Sequence, residues 1–388
     1  MLIQNIKIAI VGGGPGGLTL ARLLQMNGAA VKVYERDLDK NTRVQGATLD
    51  LHDDSGLKAL EKAGLMDAFK SNYRPGADKM CIVDHHAHVF FDERTTNQEE
   101  ATFGSPYFRP EIDRGPLRKI LLDTLDPDTV VWNSQFKTMR HTGNTWTLDF
   151  QNGTSAVADL VIAADGANSK IRPLITPIKP FYSGVTAIEG NIYDAERKIP
   201  RICDLLKDGK IFGFGTGKTI IVSSKGDGSV AFYAGFRAAE HWASQSELDF
   251  SDKASILNWF KCEFAEWNNI WQELFENAET PFMPRPLYCI PLDQNWDALS
   301  NLTMLGDAAH LMPPYAGEGV NMAMLDALEL AEHLIDPQYK TLQAAIANYE
   351  NQMRIRSAQA AEGSLDNTLW MHDDNAIARM MAMFEAPL

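Results

Sequence analysis

The sequence predicts an α/β protein in which a parallel-sheet lobe, assembled from two separated pieces of chain, carries a mostly antiparallel sheet inserted between them. Three observations predict this. An unbroken apolar run at residues 8–11 leads through glycines into a helical pattern. Two further apolar runs, at 160–164 and 302–305, end at Asp165-Gly166 and Gly306-Asp307. Between them, residues 181–290 change to alternating segments separated by turns, the pattern of antiparallel strands.

The first run, Ile8-Ala-Ile-Val11, has no polar gap and suits a buried parallel strand. Gly12, Gly14 and Gly17 follow with G-x-G-x-x-G spacing. The first glycine permits a tight turn, the second lets the backbone approach a pyrophosphate, and the third lets helix and strand pack closely. The helix N-terminus then presents free N–H groups to phosphate. A second strand over 30–34 ends at Glu35, the distance expected of a ribose-binding carboxylate. A helix is expected from Ser55, as its cap, to Gly64, its stop. Residues 78–92 read as a hairpin whose turn carries His85, His86 and His88, taken as exposed loop rather than metal ligands. Residues 95–107 read as a surface loop. A helix opens near Arg114 with Pro116 in its first turn, and Arg114 and Arg118 share a face. A helix is expected over 252–271, with Ile256, Trp259, Phe260, Phe264 and Trp267 as core. In the third stretch, Gly317 and Gly319 precede another helix start, which again suits an anion. The tail, about 342–383, reads as one or two helices.

The chain has 388 residues, and its 45% hydrophobic content supports a sizeable core. A net charge of −15 disfavours nucleic acid or an anionic membrane as partner. Cys81, Cys203, Cys262 and Cys289 are far apart and show no metal-binding spacing, so no metal is expected. No signal peptide and no bilayer-length apolar run is read, so the expectation is a soluble, cytoplasmic monomer. The expected organisation is a dinucleotide lobe over 1–180 with an excursion at 78–107, the antiparallel sheet over 181–290, the second part of the first lobe over 291–341, and a helical segment over 342–388.

Three stretches stand together: Gly12-x-Gly14-x-x-Gly17, Ala164-Asp165-Gly166, and Gly306-Asp307-Ala308-Ala309-His310 with Pro313-Pro314 and Gly317-x-Gly319-x-Asn321. In this order they resemble the FAD-dependent aromatic hydroxylases, the single-component flavoprotein monooxygenases, over nearly the whole chain. Tyr34-Glu35-Arg36, the segment from Gly46 to His52, Glu111 to Arg118, and His310 to Asn321 look most like the tetracycline-inactivating members. The resemblance implies a Rossmann-like FAD-binding domain of the GR2 type. By position it implies that Glu35 and Arg36 hold the adenosine ribose region and that Asp50, Arg114 and Asp307 contact FAD. Arg43 would approach NADPH, and Pro314 and Gly317 would lie beside the isoalloxazine ring. Arg118, Asp165 and Asn321 complete the expected cofactor set. Glu318 stands where glutamine is usual. Asp204, Lys210 and Ala231 stand where Gln, Arg and His would grip tetracycline, so those contacts are not carried over.

The implied chemistry is reduction of FAD by NADPH or NADH, reaction with O₂ to a C4a-hydroperoxide, and hydroxylation of a phenol or enol. The cofactor carries the reaction, so no catalytic side chain is expected beyond those that position and shield it. By strand parity Lys210, Phe212 and Phe214 share one face, as do Ala231, Tyr233 and Gly235. Phe212, Phe214, Tyr233 and Pro314 are the candidate substrate-lining residues, suited to a flat polycyclic molecule. The leading reading is hydroxylation of a tetracycline-type antibiotic or related polyketide. The alternatives are hydroxylation of a small phenol or heterocycle, and a flavoprotein that sequesters a polycyclic drug without oxidising it. No Trp-x-Trp-x-Ile-Pro segment supports a halogenase, and a plain NAD dehydrogenase leaves the block at 306–321 unexplained.

Overall fold

The strand Lys7–Val11 lies at the middle of a five-stranded parallel sheet, in the order Leu302–Met304, Leu160–Ala163, Lys7–Val11, Ala30–Tyr34 and Val130–Val131. Ile10 pairs with Ile162 on one side and Val33 on the other. All three expected apolar runs therefore meet in one sheet although about 300 residues apart in sequence. The computed structural model describes residues 2–42, 46–95, 101–105 and 107–385. Arg43 and part of the expected 95–107 loop lie outside the described residues.

Helix Pro15–Met26 starts with proline in its first turn, where the missing N–H costs nothing. It lies close against helix Glu318–Ile335: a Cβ on Gly16 would stand 2.8 Å from the Ala323 carbonyl oxygen. A three-stranded antiparallel sheet, Phe136–Thr142, Thr145–Phe150 and Ser155–Ala158, accompanies the parallel sheet.

The second lobe is a seven-stranded sheet in the order Met283–Cys289, Phe181–Ile192, Val230–Arg237, Lys218–Ser224, Lys210–Gly215, Met80–Asp84 and Val89–Asp92. The hairpin at 80–92 thus joins this sheet, with Met80 opposite Lys210 in parallel register. One face packs Ile211, Ile220, Val222, Phe232 and Phe236 against Phe260, Phe264, Trp271 and Phe275. The other carries Phe212, Phe214 and Ile221 against Trp370, Met371 and Met380 of the C-terminal helices Leu342–Met371 and Ala376–Glu385.

Two expected helices differ. Ser55 is not a cap: the helical turn begins at Asp53, with Leu57 N–H bonded to His52 O at 3.0 Å, and Ser55 is buried facing Asn321. The helix expected over 252–271 stops after Glu263. Asp252 caps its start, its carboxylate accepting from Ala254 N and Ser255 N. The break follows from the hairpin turn, whose His85 carbonyl accepts Asn268 N–H at 2.9 Å and the Trp271 indole N–H at 3.0 Å. His86 and His88 are exposed, and no metal-binding group of three is found among the described residues. No helix among them is long and apolar enough to cross a membrane.

Candidate functional site

At the C-terminal end of the central strand of the parallel sheet, the glycine turn has no room for side chains at Gly12 and Gly17. A Cβ on Gly12, whose φ is +113°, would stand 2.1 Å from Ala164 O, and one on Gly17 would stand 2.2 Å from Gly12 O. Around Gly14, by contrast, nothing lies within 4 Å of a Cβ, so the turn opens there onto free space before the helix N-terminus. Glu35 is buried at the strand end, accepting Gly13 N–H at 2.6 Å and Asp37 N–H at 3.0 Å. Both oxygens keep lone pairs for a ribose diol. Arg36 is exposed beside it. Asp165 accepts Lys170 N–H through Oδ2, whereas its buried Oδ1 has no partner among the described residues. Burial raises its pKa. An orphaned buried acceptor next to an open turn is what a dinucleotide's hydroxyls and ring N–H groups would satisfy.

The third stretch closes the cleft from the other side. Gly317 has φ +70°, and a Cβ there would stand 2.7 Å from Asp50 Oδ2. Asp307 is exposed although Gly306 and Ala308 beside it are buried, and it faces Gly319 at the start of helix Glu318–Ile335. Asn321 is fully buried and braces the cleft: its Nδ2 donates to Asp50 O and Gly317 O, and its Oδ1 accepts His52 N–H at 2.9 Å. Asn321 therefore orders the backbone around the cleft. Glu318 has a partner in His52, whose Nδ1 is 3.5 Å away and whose Nε2 bonds Asp50 at 3.1 Å. Burial raises the Glu318 pKa, while the Asp50 carboxyl, though also buried, is held below its usual value by the His52 hydrogen bond and the Lys210 charge.

Arg114 donates from Nε to Ala47 O at 3.0 Å and lies under Gly46. Arg118, one turn on, binds Asp37 at 2.7 Å and stacks over Trp132. Gly46, Arg114 and Arg118 line a cavity of about 840 Å³ that reaches Arg74 and the turn at Gly226 on the sheet lobe. Its lining carries more basic than acidic side chains, among them Lys40, Arg114 and Arg118, which suits a phosphate-bearing ligand.

The family described as FAD binding domain matches residues 5–254 and 299–364. The chain belongs to the FAD-dependent aromatic monooxygenases. It is 26% identical to monooxygenase penA of Penicillium thymicola, over 99% of both chains. Klebsiella pneumoniae HpxO, solved with FAD and uric acid, has the same fold: TM-score 0.76 at 22% identity, covering 99% of this chain and 92% of that one. The tetracycline destructase Tet(55) superposes with TM-score 0.73 at 20% identity, covering 96% and 90%.

In this monooxygenase the antiparallel sheet touches the candidate cleft directly. The Tyr233 hydroxyl accepts Ala47 N–H at 3.2 Å, and burial pushes its pKa up to about 12. Lys210 reaches across to the buried Glu111 carboxylate. Burial works against its ammonium, but the Glu111 and Asp50 charges hold it on. Of the other candidate substrate residues, Phe212 is partly open, Pro314 is exposed, and Phe214 is sealed beneath the C-terminal helices. The sequence reading missed Asp326. It is fully buried and accepts from Gly306 N at 2.9 Å, pairs with His310 Nε2 at 2.5 Å, and binds Arg356 at 2.6 Å. It also missed Arg172, whose guanidinium holds Ala308 O, Ala309 O and Gln294. Both support the Gly306–His310 turn from below. An aspartate in an otherwise apolar helical face was the one available signal for Asp326.

Proposed function

We propose that this monooxygenase uses NADPH or NADH and O₂ to hydroxylate an electron-rich ring, a phenol or enol of a polycyclic molecule of the tetracycline type. When bound, FAD supplies the hydride acceptance and oxygen activation. Gly12, Gly14, Gly17, Glu35 and Asp165 would hold its adenosine half, and Asp50, Arg114, Asp307, Pro314 and Gly317 its reactive half. The observation that carries the reading is the junction of lobes. Tyr233, on the inner face of the sheet, bonds the Ala47–Asp50 segment that faces Gly317, so a flat ring between them has one wall from each lobe. Such an arrangement would shield the reacting centre from water, which the chemistry requires. Arg118 and the basic rim near Lys40 are where a pyridine nucleotide's phosphates would find positive charge.

A smaller substrate is the second reading. HpxO, a fold neighbour over almost the whole chain, was captured with uric acid. NADPH oxidation and oxygen uptake by the FAD-loaded enzyme, measured with tetracyclines, phenols and oxopurines, separate the two. Stimulation by a tetracycline with a hydroxylated product supports the first. Stimulation only by small rings supports the second. A drug recovered unchanged without oxygen uptake would point to sequestration.

A further inference from the structure

We propose that the cluster of Glu318, His52 and Asp50 takes up from solvent the one proton that the proposed reaction consumes. The inference rests on the reading of the cleft as a hydroxylase using NADPH or NADH, with Asp50 and Gly317 at the reactive half of FAD.

Glu318 is the departure that the functional reading leaves unused: an acid stands where glutamine is usual. It opens helix Glu318–Ile335, directly after Gly317. Its Oε1 faces His52 Nδ1 at 3.5 Å, and His52 Nε2 bonds Asp50 Oδ2 at 3.1 Å. One imidazole thus has a carboxylate at each nitrogen. A neutral ring donates to only one of them and sets its other lone pair against a carboxylate oxygen. The three groups are satisfied together only when they share one further proton, as an imidazolium or as a carboxylic acid.

Behind Asp50 the charge is again short of balance. Glu111 is its partner across the strand pair Leu49–Asp50 and Glu111–Ile112. Lys210 binds Glu111, and the same ammonium acts on Asp50. Glu111 is only 1% exposed, yet its Oε2 has no hydrogen-bond partner among the described residues. Three acids therefore share two bases, and even with His52 as the imidazolium one negative charge is left over. Around them, the exposed Arg109 and Asp54 act on Glu318 with opposite sign, Asp78 acts on Lys210, and Asp307 faces Gly319. Burial raises the Glu318 and Glu111 carboxyls, and further negative charge beside them raises such groups again. Glu318 is the most open of the three acids, with its side chain 23% exposed, so solvent protons reach the cluster there.

The proposed reaction supplies that charge. NADPH gives up a hydride to the cofactor, its C–H bond breaking with both electrons, so the cleft gains one negative charge and no proton. A proton from solvent bonds to a carboxylate of the cluster as that charge arrives. Over the whole reaction a substrate C–H bond, O₂, NADPH and one proton become the C–OH product, NADP⁺ and water. The proton is spent in forming the water, and the cluster returns to its starting charge.

The test follows the two-electron reduction equilibrium of FAD-loaded enzyme against dyes of known potential, without oxygen, between about pH 5 and 8. Each proton taken up with the electrons changes that equilibrium about tenfold per pH unit. The absorbance of the reduced flavin shows whether the flavin itself is neutral or anionic. Wild type should show a window of about hundredfold per pH unit while its reduced flavin absorbs as the anion, one proton having gone to the flavin and one to the cluster. Glu318→Gln swaps the carboxylate for a neutral amide of the same shape and should return the slope to about tenfold, with the absorbance unchanged. Glu111→Gln should do the same through a different acid. A side chain that only props the cleft would leave the count of protons unaltered. A wild-type slope of about tenfold throughout, a reduced flavin that absorbs as the neutral form inside the window, or a window unchanged in both variants overturns the inference. If one variant does not retain FAD, the other decides. Wild-type protein that takes up no FAD contradicts the reading of the cleft instead.

Discussion

At the scale of single residues, the glycine turn makes the sharpest demand. Gly12 combines a positive φ with a Cβ position 2.1 Å from the Ala164 carbonyl oxygen, so no side chain fits without moving the end of the neighbouring strand. Gly12→Ala should lower stability by about 3 kcal/mol in chemical denaturation and yield protein depleted in flavin absorbance. Wild-type stability and full flavin content would contradict the close-packed turn. His372 gives a prediction with a definite sign. Its folded value of about 4 lies below the ordinary 6.5, so between these pH values the unfolded chain binds a proton that the folded chain does not. Stability should therefore fall as pH drops from about 6.5 to 4 and then level off, by about 3 kcal/mol in all from this group. The difference between wild type and His372→Gln, followed by urea unfolding across that window, isolates the contribution.

At the scale of elements, the cleft depends on braces between segments that are not neighbours in the chain. Asn321, on helix Glu318–Ile335, satisfies Asp50 O, Gly317 O and His52 N–H at once. Asn321→Leu keeps its bulk but leaves those groups unpaired, and should cost about 3 kcal/mol with weaker FAD retention. A stability unchanged within about 0.5 kcal/mol would remove the brace from the account. The strand–turn–helix at the start was legible because its turn chemistry is local: the glycines, the proline and the strand periodicity all lie within one short window. The later 302–321 block was legible for the same reason. The helix break after Glu263 was not, because its cause is the His85 carbonyl from a hairpin far away in sequence. Ser55 misled because a capping residue type was read without knowing that Asn321 would claim its hydroxyl. Phe214 followed strand parity to the expected face, yet that face is shared between the cleft and the C-terminal helices, and parity alone does not divide it.

At the scale of the whole molecule, two sheets with different strand patterns are fastened around one cleft. Asp326 is the central tie of the first lobe, joining the Gly306 turn, His310 and Arg356 of the long C-terminal helix. Asp326→Ala takes the acceptor from buried Gly306 N–H and the partner from His310, leaves Arg356 with Glu329 alone, and should cost about 3 kcal/mol, with the C-terminal helix loosening from the Gly306 turn in hydrogen exchange. A loss under about 1 kcal/mol would show that the tie is redundant. The lobes meet through Tyr233 on Ala47, Arg74 on Ser224 O, Lys210 on Glu111 and Gly226 N–H on Asp113. These polar contacts ring the cleft, so the candidate site is built where neither lobe alone is complete. This cleft is expected to perform flavin-dependent oxygen insertion. The most direct measurement is mass analysis of product formed by the FAD-loaded enzyme with NADPH, isotopically labelled O₂ and the aromatic compound that most stimulates NADPH oxidation. The expected product gains one oxygen atom carrying the label. Label recovered only in hydrogen peroxide and water, with the aromatic compound unchanged, would contradict it.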